Sequence, residues 1–376
     1  MSGQVSVPFL DLTAQTAEVR DEVWEGWTDV VGRSHFIGGE RVTGFEDDWA
    51  TYCGTSHAIG VANGTDALHL VLRALDIGPG QDVVIPGNTF VATAEAVVLA
   101  GAIPRFADVD PDTLLLTAET LKAAVTPTTT AVIVVHLFGQ MADMDEIQIL
   151  ADELGIHVIE DAAQAQGARW RGRPAGSFGR AGCFSFYPGK NLGAFGDAGA
   201  VVTSDDALAL RLRSLRDHGR RPGAHYDHVA VGTNSRLDAL QAVVLSAKLK
   251  RLDTWNAARR TVMSRYRQML DPDRISLVSV IEDSQPVYHL AVAQVKDRDA
   301  VREKLAAQGI ATGIHYPTPC HLSEPYVGQA VTALPVVEAA AQRILSLPMY
   351  PHLAEEDVDR VSETLNQVVP VGKTLT

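Results

Sequence analysis

The feature of this sequence that most constrains its fold is an alternation of short apolar segments with helix-forming segments. Strand-like runs at 82–86, 103–107 and 131–135 are separated by stretches with the composition of helices. Such alternation is typical of a doubly wound α/β domain, in which helices cover both faces of a largely parallel sheet. Ligands of these domains bind at the carboxyl ends of the strands, so polar residues that directly follow a strand are the first candidates for a functional site.

A glycine-rich run at 181–203 carries a single lysine, Lys190, between two strand-like segments. Glycines let the backbone bend tightly and approach a ligand closely. A lysine held in such a loop is removed from solvent, so its amine can be neutral and nucleophilic. The run therefore predicts a reactive lysine, and a glycine-rich hairpin with a surface lysine is the alternative.

Upstream of this run, an apolar strand ends in Asp161, and Gln164 follows three residues later. A lysine and a carboxylate are the two groups that pyridoxal phosphate chemistry needs. The lysine forms a Schiff base with the cofactor aldehyde, and the carboxylate keeps the pyridine nitrogen protonated so that the ring can take up electrons. Lys190 and Asp161 together thus predict a pyridoxal phosphate enzyme.

These motifs, with others in the same order, resemble the DegT/DnrJ/EryC1/StrS family of sugar aminotransferases. The resemblance covers nearly the whole chain and includes the segments at 8–12, 63–67, 234–238 and 314–317. It implies the type I fold of pyridoxal phosphate-dependent transferases, which is aspartate aminotransferase-like. In this fold a large doubly wound α/β domain precedes a smaller C-terminal α+β domain.

No linker rich in proline or glycine separates two domains in the sequence. We therefore expect the boundary inside the helical stretch at 235–270, with the large domain at 1–250 and the small domain at 251–376. The small domain is predicted to contain a strand at 287–295. Both domains are expected to contribute to one active site, for which a chain of 376 residues is long enough.

The resemblance also implies residues that hold pyridoxal 5'-phosphate. Lys190 would be the Schiff-base lysine and general base, and Asp161 would contact the pyridine nitrogen. Gln164 would face the 3'-oxygen of the ring. The remaining implied contacts are the phosphate ligands Gly64, Thr65 and Ser185, the ring-stacking Phe90, and Asn234, which would reach the phosphate of the neighbouring subunit in a homodimer with shared active sites. From the residues alone, a capped helix start at 63–66 explains Gly64 and Thr65. A core phenylalanine is the alternative for Phe90, and a helix cap is the alternative for Asn234.

For the reaction, the resemblance implies transfer of an amino group from L-glutamate to a nucleotide-linked keto-6-deoxysugar, with dTDP as the expected nucleotide. The amine would be placed at C3 or C4, in deoxyaminosugar and antibiotic biosynthesis. The alternatives on this fold are a keto-cyclitol aminotransferase and a sugar dehydrase, although that branch carries histidine where Lys190 stands. A cofactor-binding regulator would need a DNA-binding module, for which the chain has no residues before Pro8. Residues expected near the substrate are Phe36, Tyr187, His315, Tyr316 and His321, for which an ordinary turn or a packed loop is the alternative.

Composition and charge exclude several other classes. A net charge of −14 argues against a nucleic-acid partner. No run approaches 18 consecutive apolar residues, and the first residues lack the basic and apolar regions of a signal peptide, so we expect neither a membrane span nor secretion. The three cysteines are far apart and the histidines show no ligand spacing. We therefore expect a cytoplasmic protein with neither a disulfide framework nor a metal site.

One basic cluster stands out in this acidic chain. Five arginines lie within a short stretch that follows Asp205, at positions 211, 213, 216, 220 and 221. Such a cluster is a candidate site for the diphosphate of a nucleotide sugar. A solvated helix end is the alternative.

Overall fold

The computed structural model describes residues 6–221, 223–327 and 333–370. Its first sheet is built from seven strands: β1 (His57–Val61), β2 (Asp82–Pro86), β3 (Ile103–Ala107), β4 (Thr129–Val135), β5 (His157–Asp161), β8 (Ala181–Ser185) and β9 (Gly199–Thr203). The strand order is β1-β9-β8-β5-β4-β2-β3. Strands from β8 to β3 run parallel, whereas β9 pairs antiparallel with both β8 and β1. The predicted sheet is therefore present, and the antiparallel strand β9 forms the end of the glycine-rich run.

In the described residues up to position 270, the α-helices are α1 (Thr13–Arg33), α2 (Glu40–Cys53), α3 (Gly64–Ala74), α4 (Val91–Leu99), α5 (Ala118–Ala124), α6 (Met144–Leu154), α7 (Asp206–Leu215), α8 (Ala239–Leu249) and α9 (Leu252–Met269). Side-chain caps begin several of them. The Asn63 side chain accepts a hydrogen bond from the Asp66 N–H at the start of α3, at 2.8 Å, and Asp143 caps α6 in the same way. The helical stretch at 235–270 divides into α8 and α9, with a break at residues 250–251.

The central strands explain the apolar runs of the sequence. Every residue of β2 is buried, and β4 is buried along almost its whole length. A strand in the middle of a helix-covered parallel sheet is shielded on both faces, so its sequence is continuously apolar instead of alternating. This geometry brings the carboxyl ends of β4, β5 and β8 to one edge of the sheet.

A second sheet of three strands lies in the C-terminal region: β10 (Ser276–Leu277), β12 (Ala291–Gln294) and β13 (Ile344–Leu347). The same region contains the helices α10 (Arg298–Ala307), α11 (Pro335–Arg343) and α12 (Glu355–Val368) and the 3-10 turns Cys320–Leu322 and Glu324–Tyr326. Another 3-10 turn, Leu137–Gly139, follows β4. Two-residue strands β6 (Arg169–Trp170), β7 (Arg173–Pro174) and β11 (Ser284–Gln285) form a third, minor sheet.

Two observations bear on the C-terminal predictions. The strand predicted at 287–295 is shorter, because the Val287 N–H donates to the carbonyl of Gly139 and residues 287–290 follow that loop instead of pairing in the sheet. Val7, near the start of the chain, pairs with Ile310 and is buried in the apolar cluster of the C-terminal region. The boundary near residue 250 stays a prediction.

Two kinds of feature are absent from the described ranges. None of their helices is both long and apolar enough to cross a membrane. Within the same ranges, no group of three or more histidine, cysteine, aspartate or glutamate side chains is placed to hold a metal ion.

Candidate active site

A cavity of about 450 Å³ opens at the carboxyl edge of the large sheet. Its wall combines the ends of β4, β5 and β8 with the starts of α3 and α4. The structure brings nine of the predicted residues together here: Gly64, Thr65, Phe90, Asp161, Gln164, Ser185, Tyr187, Lys190 and Tyr316. These residues come from distant parts of the sequence, and the parallel sheet is what gathers them at one edge.

Asp161 is the last residue of β5 and is only 6% exposed. Its Oδ2 accepts a hydrogen bond of 2.8 Å from the Thr93 hydroxyl, and its Oδ1 accepts one of 3.2 Å from the Ala163 N–H. Burial raises the pKa of the Asp161 carboxyl, while these two hydrogen bonds and the charge of Lys190 oppose that rise. Thr93 and Ala163 thus fix the orientation of the carboxylate, and together with Lys190 they limit the rise in its pKa.

Thr93 was not predicted from the sequence. It lies in the first turn of α4, is fully buried, and also forms a hydrogen bond of 2.8 Å with the Thr89 hydroxyl. A hydroxyl has a single proton, so when Thr93 donates to Asp161 the Thr89 hydroxyl must be the donor of the second bond. The spacing of two threonines at i and i+4 was the only local signal for this relay.

Lys190 lies in a turn between β8 and β9. The Lys190 N–H donates to the Tyr187 carbonyl and the Ala194 N–H donates to the Phe186 carbonyl, both at 2.8 Å, so the turn is closed at its base. Gly193 is required there, because a Cβ at this position would overlap the Pro188 carbonyl. Burial lowers the pKa of the Lys190 amine to about 8, and the charge of Asp161 opposes that change. At pH 7 about a tenth of the amine is therefore neutral, far more than for an exposed lysine.

Three residues form a cradle at the start of α3. Gly64 and Thr65 begin this helix of 11 residues, whose N-terminus faces the cavity. A Cβ on Gly64 would lie 2.8 Å from the Cβ of Ser185, so glycine is needed for the helix to approach the end of β8. Free amides and the positive end of the helix dipole make such a terminus suitable for a phosphate group.

The opposite part of the cavity is lined by Gln164, Phe90 and Tyr316. Gln164 accepts a hydrogen bond of 2.6 Å from the Phe138 N–H and donates one of 3.1 Å to the Tyr316 hydroxyl. The rings of Phe90 and Tyr316 are 5.3 Å apart between centroids. Phe90 is half exposed and lines the cavity, so it is not a core residue. An apolar ring with an exposed face suits contact with a flat aromatic ligand.

The other four predicted residues do not line this cavity within the part of the chain that the structure describes. His321 is buried near Phe106 and bonds to Glu338 at 3.2 Å, so this position does not support its predicted contact with the substrate. His315 stacks on Phe9 and bonds to the Ser346 hydroxyl at 2.9 Å. Burial and the nearby Lys190 lower the pKa of His315 to about 4, which indicates that its ring is neutral and close to the lysine.

Phe36 and Asn234 are exposed on the surface. Phe36 precedes α2, and its carbonyl accepts a hydrogen bond from the Ala239 N–H. Asn234 pairs with Asp217 at the end of an exposed segment, far enough from the cavity that it is not part of the wall.

The five arginines of the basic cluster have partners within the protein. Four of its five guanidinium groups are paired with carboxylates, Arg211 with Asp76, Arg216 with Glu46, Arg220 with Asp217 and Arg221 with Asp227, and Arg213 donates to the Ala58 carbonyl. These pairs favour the alternative of a solvated helix end, because four of the five charges already have an acidic partner, and the diphosphate hypothesis stays a prediction.

Comparisons with known proteins identify the family of this chain. Residues 18–366 match the model of the DegT/DnrJ/EryC1/StrS aminotransferase family. The chain belongs to this family. It is 45% identical to a dTDP-3-amino-3,4,6-trideoxy-alpha-D-glucose transaminase of Streptomyces venezuelae, over 96% of each chain. It is 44% identical to a UDP-N-acetyl-3-dehydro-alpha-D-glucosamine 3-aminotransferase of Acidithiobacillus ferrooxidans, over 98% of this chain and all of the other.

The fold is also similar to that of solved family members. The S. venezuelae enzyme DesV, in complex with a ketimine intermediate, superposes with a TM-score of 0.93 at 45% identity and covers 96% of this chain and 98% of its own. These findings confirm the predicted family, the type I transferase fold, the aminotransferase class and the dependence on pyridoxal phosphate.

The cavity fits that cofactor by its own chemistry. Lys190 offers an amine with a lowered pKa, Asp161 a buried carboxylate, and the start of α3 a row of amides for a phosphate. These are the three kinds of group that a pyridine aldehyde with a phosphate tail requires. The aminotransferase family thus explains why one cavity holds both a nucleophilic lysine and a carboxylate.

Proposed function

We propose that this aminotransferase transfers an amino group from L-glutamate to C3 of a dTDP-linked keto-6-deoxysugar, as a step of deoxyaminosugar biosynthesis. The observation that carries the proposal is the cavity in which the Lys190 amine and the buried Asp161 carboxylate lie in one wall. Both relatives described above have names that place the amine at position 3 of a nucleotide-linked sugar. The names differ in the nucleotide, which is UDP in one and dTDP in the other, and the two identities are nearly equal.

When bound, pyridoxal phosphate supplies the aldehyde that takes up the amino group and the ring that takes up electrons. Lys190 would bond to that aldehyde and, once released, would carry a proton from and to the reacting carbon as a general base. Its pKa of about 8 suits this work, because both the neutral and the charged amine are populated near neutral pH. Lysine at this position favours amino transfer over the dehydrase alternative.

Asp161 would accept a hydrogen bond from the protonated pyridine nitrogen. The Thr93 hydroxyl and the Ala163 N–H, which donate to Asp161, would keep its carboxylate directed at the ring. Gly64, Thr65 and Ser185 would bind the phosphate, and Phe90 would cover one face of the ring. Gln164 has one amide hydrogen left after its bond to Tyr316, which is available for the 3'-oxygen. Tyr187 is exposed at the mouth of the cavity and would contact the sugar nucleotide together with Tyr316.

We also propose that the active enzyme is a homodimer with shared active sites. The segment before Asn234 exposes three apolar side chains within six residues, Tyr226, Val229 and Val231. A cluster of exposed apolar side chains is typical of a surface that contacts another protein chain. A two-fold interface over this surface would bury them and would carry the exposed Asn234 amide to the neighbouring cofactor phosphate. His315 and Phe36 would then lie at the edge of a site that two chains complete.

A cytoplasmic location is supported by the cysteines. Cys53, Cys183 and Cys320 are all buried and free, which suits a reducing compartment. Burial raises the pKa of each of these thiols, so none has the low pKa of a reactive cysteine.

The test of the reaction uses the purified holoenzyme with L-glutamate and a panel of keto sugars linked to dTDP or UDP. We expect 2-oxoglutarate and an amino sugar in equal amounts, with the amine at C3 by NMR and the fastest turnover on a dTDP-linked 3-keto sugar. Lys190→Ala is the control that should form no product. Amination at C4, or turnover only with a keto-cyclitol, would contradict the proposed substrate while leaving the aminotransferase class intact.

A further inference from the structure

One buried lysine has no part in the chemistry described so far. Lys248, on α8, is 3% exposed. Its Nζ donates a hydrogen bond of 2.6 Å to the carbonyl of Gly193 and lies 4.7 Å from the centroid of the Phe195 ring. No carboxylate within the described ranges forms an ion pair with it. A buried ammonium group without a counter-ion is costly, so a chain that keeps one normally gains something from it.

The surroundings of Lys248 are otherwise apolar. A small hydrophobic cluster surrounds it, built from residues of α1 and α8 together with Trp27, Phe195 and, on α9, Trp255. Burial in this cluster lowers the pKa of the Lys248 amine to about 8. Methionine would fill the same space without that cost, so packing alone does not account for a lysine.

The acceptor of its hydrogen bond is the informative feature. Gly193 is the last residue of the turn that carries Lys190, and Ala194 closes that turn by donating to the Phe186 carbonyl. Lys248 therefore contacts the base of the turn and not its tip. A hydrogen bond from a charged donor to a buried carbonyl is stronger than a neutral one, and Gly193 offers no side chain that could stabilise the turn in another way.

A second side chain of α8 contacts the same segment. The Phe195 N–H donates to Gln241 Oε1 at 2.8 Å. Gln241 and Lys248 are seven residues apart, which places both on one face of the helix, two turns from each other. One rigid helix thus holds residues 193–195 through a donor and an acceptor. Rigid elements fix the position of a reactive group more accurately than loops do.

We propose that Lys248 is a positioning residue for Lys190, which fixes the base of the lysine turn to α8 so that the amine stays directed at the cofactor aldehyde. This inference rests on the proposed role of Lys190. Without the bond to Gly193, the turn would sample conformations in which the amine is misplaced. A misplacement of about 1 Å can cost on the order of 10²-fold in rate.

The test compares Lys248→Met with Lys250→Met. Lys250 lies just beyond the end of the same helix, but it is exposed and forms an ion pair with Glu22. Each variant replaces one lysine by methionine, but only Lys248→Met removes the hydrogen bond to the Gly193 carbonyl. The first measurement is the affinity for pyridoxal phosphate, which bonds to Lys190, divided by the affinity for pyridoxamine phosphate, which does not.

We expect Lys248→Met to lower this ratio about tenfold, because only the aldehyde form needs a positioned amine. Loss of one positive charge would weaken the binding of pyridoxal phosphate and of pyridoxamine phosphate equally, because both carry the same phosphate group. This effect therefore cancels in the ratio. Hydrogen exchange of residues 187–195 in the holoenzyme should become faster, while the melting temperature stays the same or rises, since a buried charge has been replaced by an apolar side chain. Lys250→Met should change none of these.

An unchanged affinity ratio in Lys248→Met, with or without a lower melting temperature, would overturn the inference and leave Lys248 a structural residue. If Lys248→Met does not fold, Gln241→Met removes the second hydrogen bond between α8 and residues 193–195, and an unchanged ratio in that variant would overturn the inference that α8 positions the lysine turn. Borohydride reduction of the unaltered holoenzyme separates this inference from the proposed function. A label on Lys190 together with an unchanged ratio refutes only the role of Lys248, whereas a label on another lysine refutes both.

Discussion

Replacing Thr93 by valine should slow amino transfer without weakening cofactor binding. Valine keeps the shape of threonine and removes its hydroxyl, which donates to Asp161 Oδ2 at 2.8 Å. A hydrogen bond to a charged group contributes about 1.5–3 kcal/mol. Because one pKa unit corresponds to about 1.4 kcal/mol, its loss should raise the pKa of the Asp161 carboxyl by about one to two units. Burial already raises that pKa, so the two effects have the same sign.

The rate of the reaction depends on the proton that the Asp161 carboxylate and the pyridine nitrogen of the cofactor share. A more basic carboxylate competes better with the pyridine nitrogen for the shared proton, so the ratio of sites protonated on the nitrogen to sites protonated on the carboxylate falls about 10- to 10²-fold. The rate of the half-reaction with glutamate should fall by a similar factor at most, because only the protonated ring is an efficient electron sink. Stopped-flow absorbance of the cofactor band measures this rate, and the affinity for pyridoxal phosphate should change little.

Two controls isolate the hydrogen bond. Thr93→Ser keeps the hydroxyl and should restore most of the rate. Thr89→Val removes only the donor to Thr93, so its effect should be smaller than that of Thr93→Val. A cofactor analogue with carbon in place of the ring nitrogen has no proton to lose, and with it Thr93→Val should cause no further slowing. A Thr93→Val enzyme with a normal rate would refute the reasoning, as would equal slowing with the analogue.

Three further predictions concern the remaining roles. Borohydride reduction of the yellow holoenzyme should attach a pyridoxyl group to Lys190, as peptide mapping by mass spectrometry can show, and a label elsewhere would refute its role. Asp161→Asn should still bind pyridoxal phosphate but lose about 10²-fold or more in turnover, because the ring nitrogen can then lose its proton; near-normal turnover would be inconsistent with the assignment. Lys190→Ala and Asn234→Asp, each inactive alone, should recover part of the activity when they are unfolded and refolded together, since a heterodimer then has one site without a lesion. No recovery in heterodimers verified by native mass spectrometry would mean that Asn234 does not serve the partner's site.

Much of the large sheet could be predicted because its signals are local. The bounds of β2 and β3 coincide with the apolar runs at 82–86 and 103–107. Asp161 could be placed at a strand end, and Lys190 in a turn, since an apolar run, a proline-glycine pair and closely spaced glycines each constrain the backbone within a few residues. The rule that strand ends carry ligands then led to the cavity.

The arrangement around those two residues was decided by tertiary structure. Thr93 and Asp161 are 68 residues apart, and Lys248 and Gly193 are 55 apart, so no local pattern links either pair. His321 has the residue type of a substrate ligand, but the packing of its loop turns the ring toward Glu338. The sequence by itself determined which residues could carry the chemistry, because residue type and backbone preference are local properties. Their partners, and hence their pKa values and orientations, were decided only by the folded chain, because burial and hydrogen bonding depend on segments that are distant in sequence.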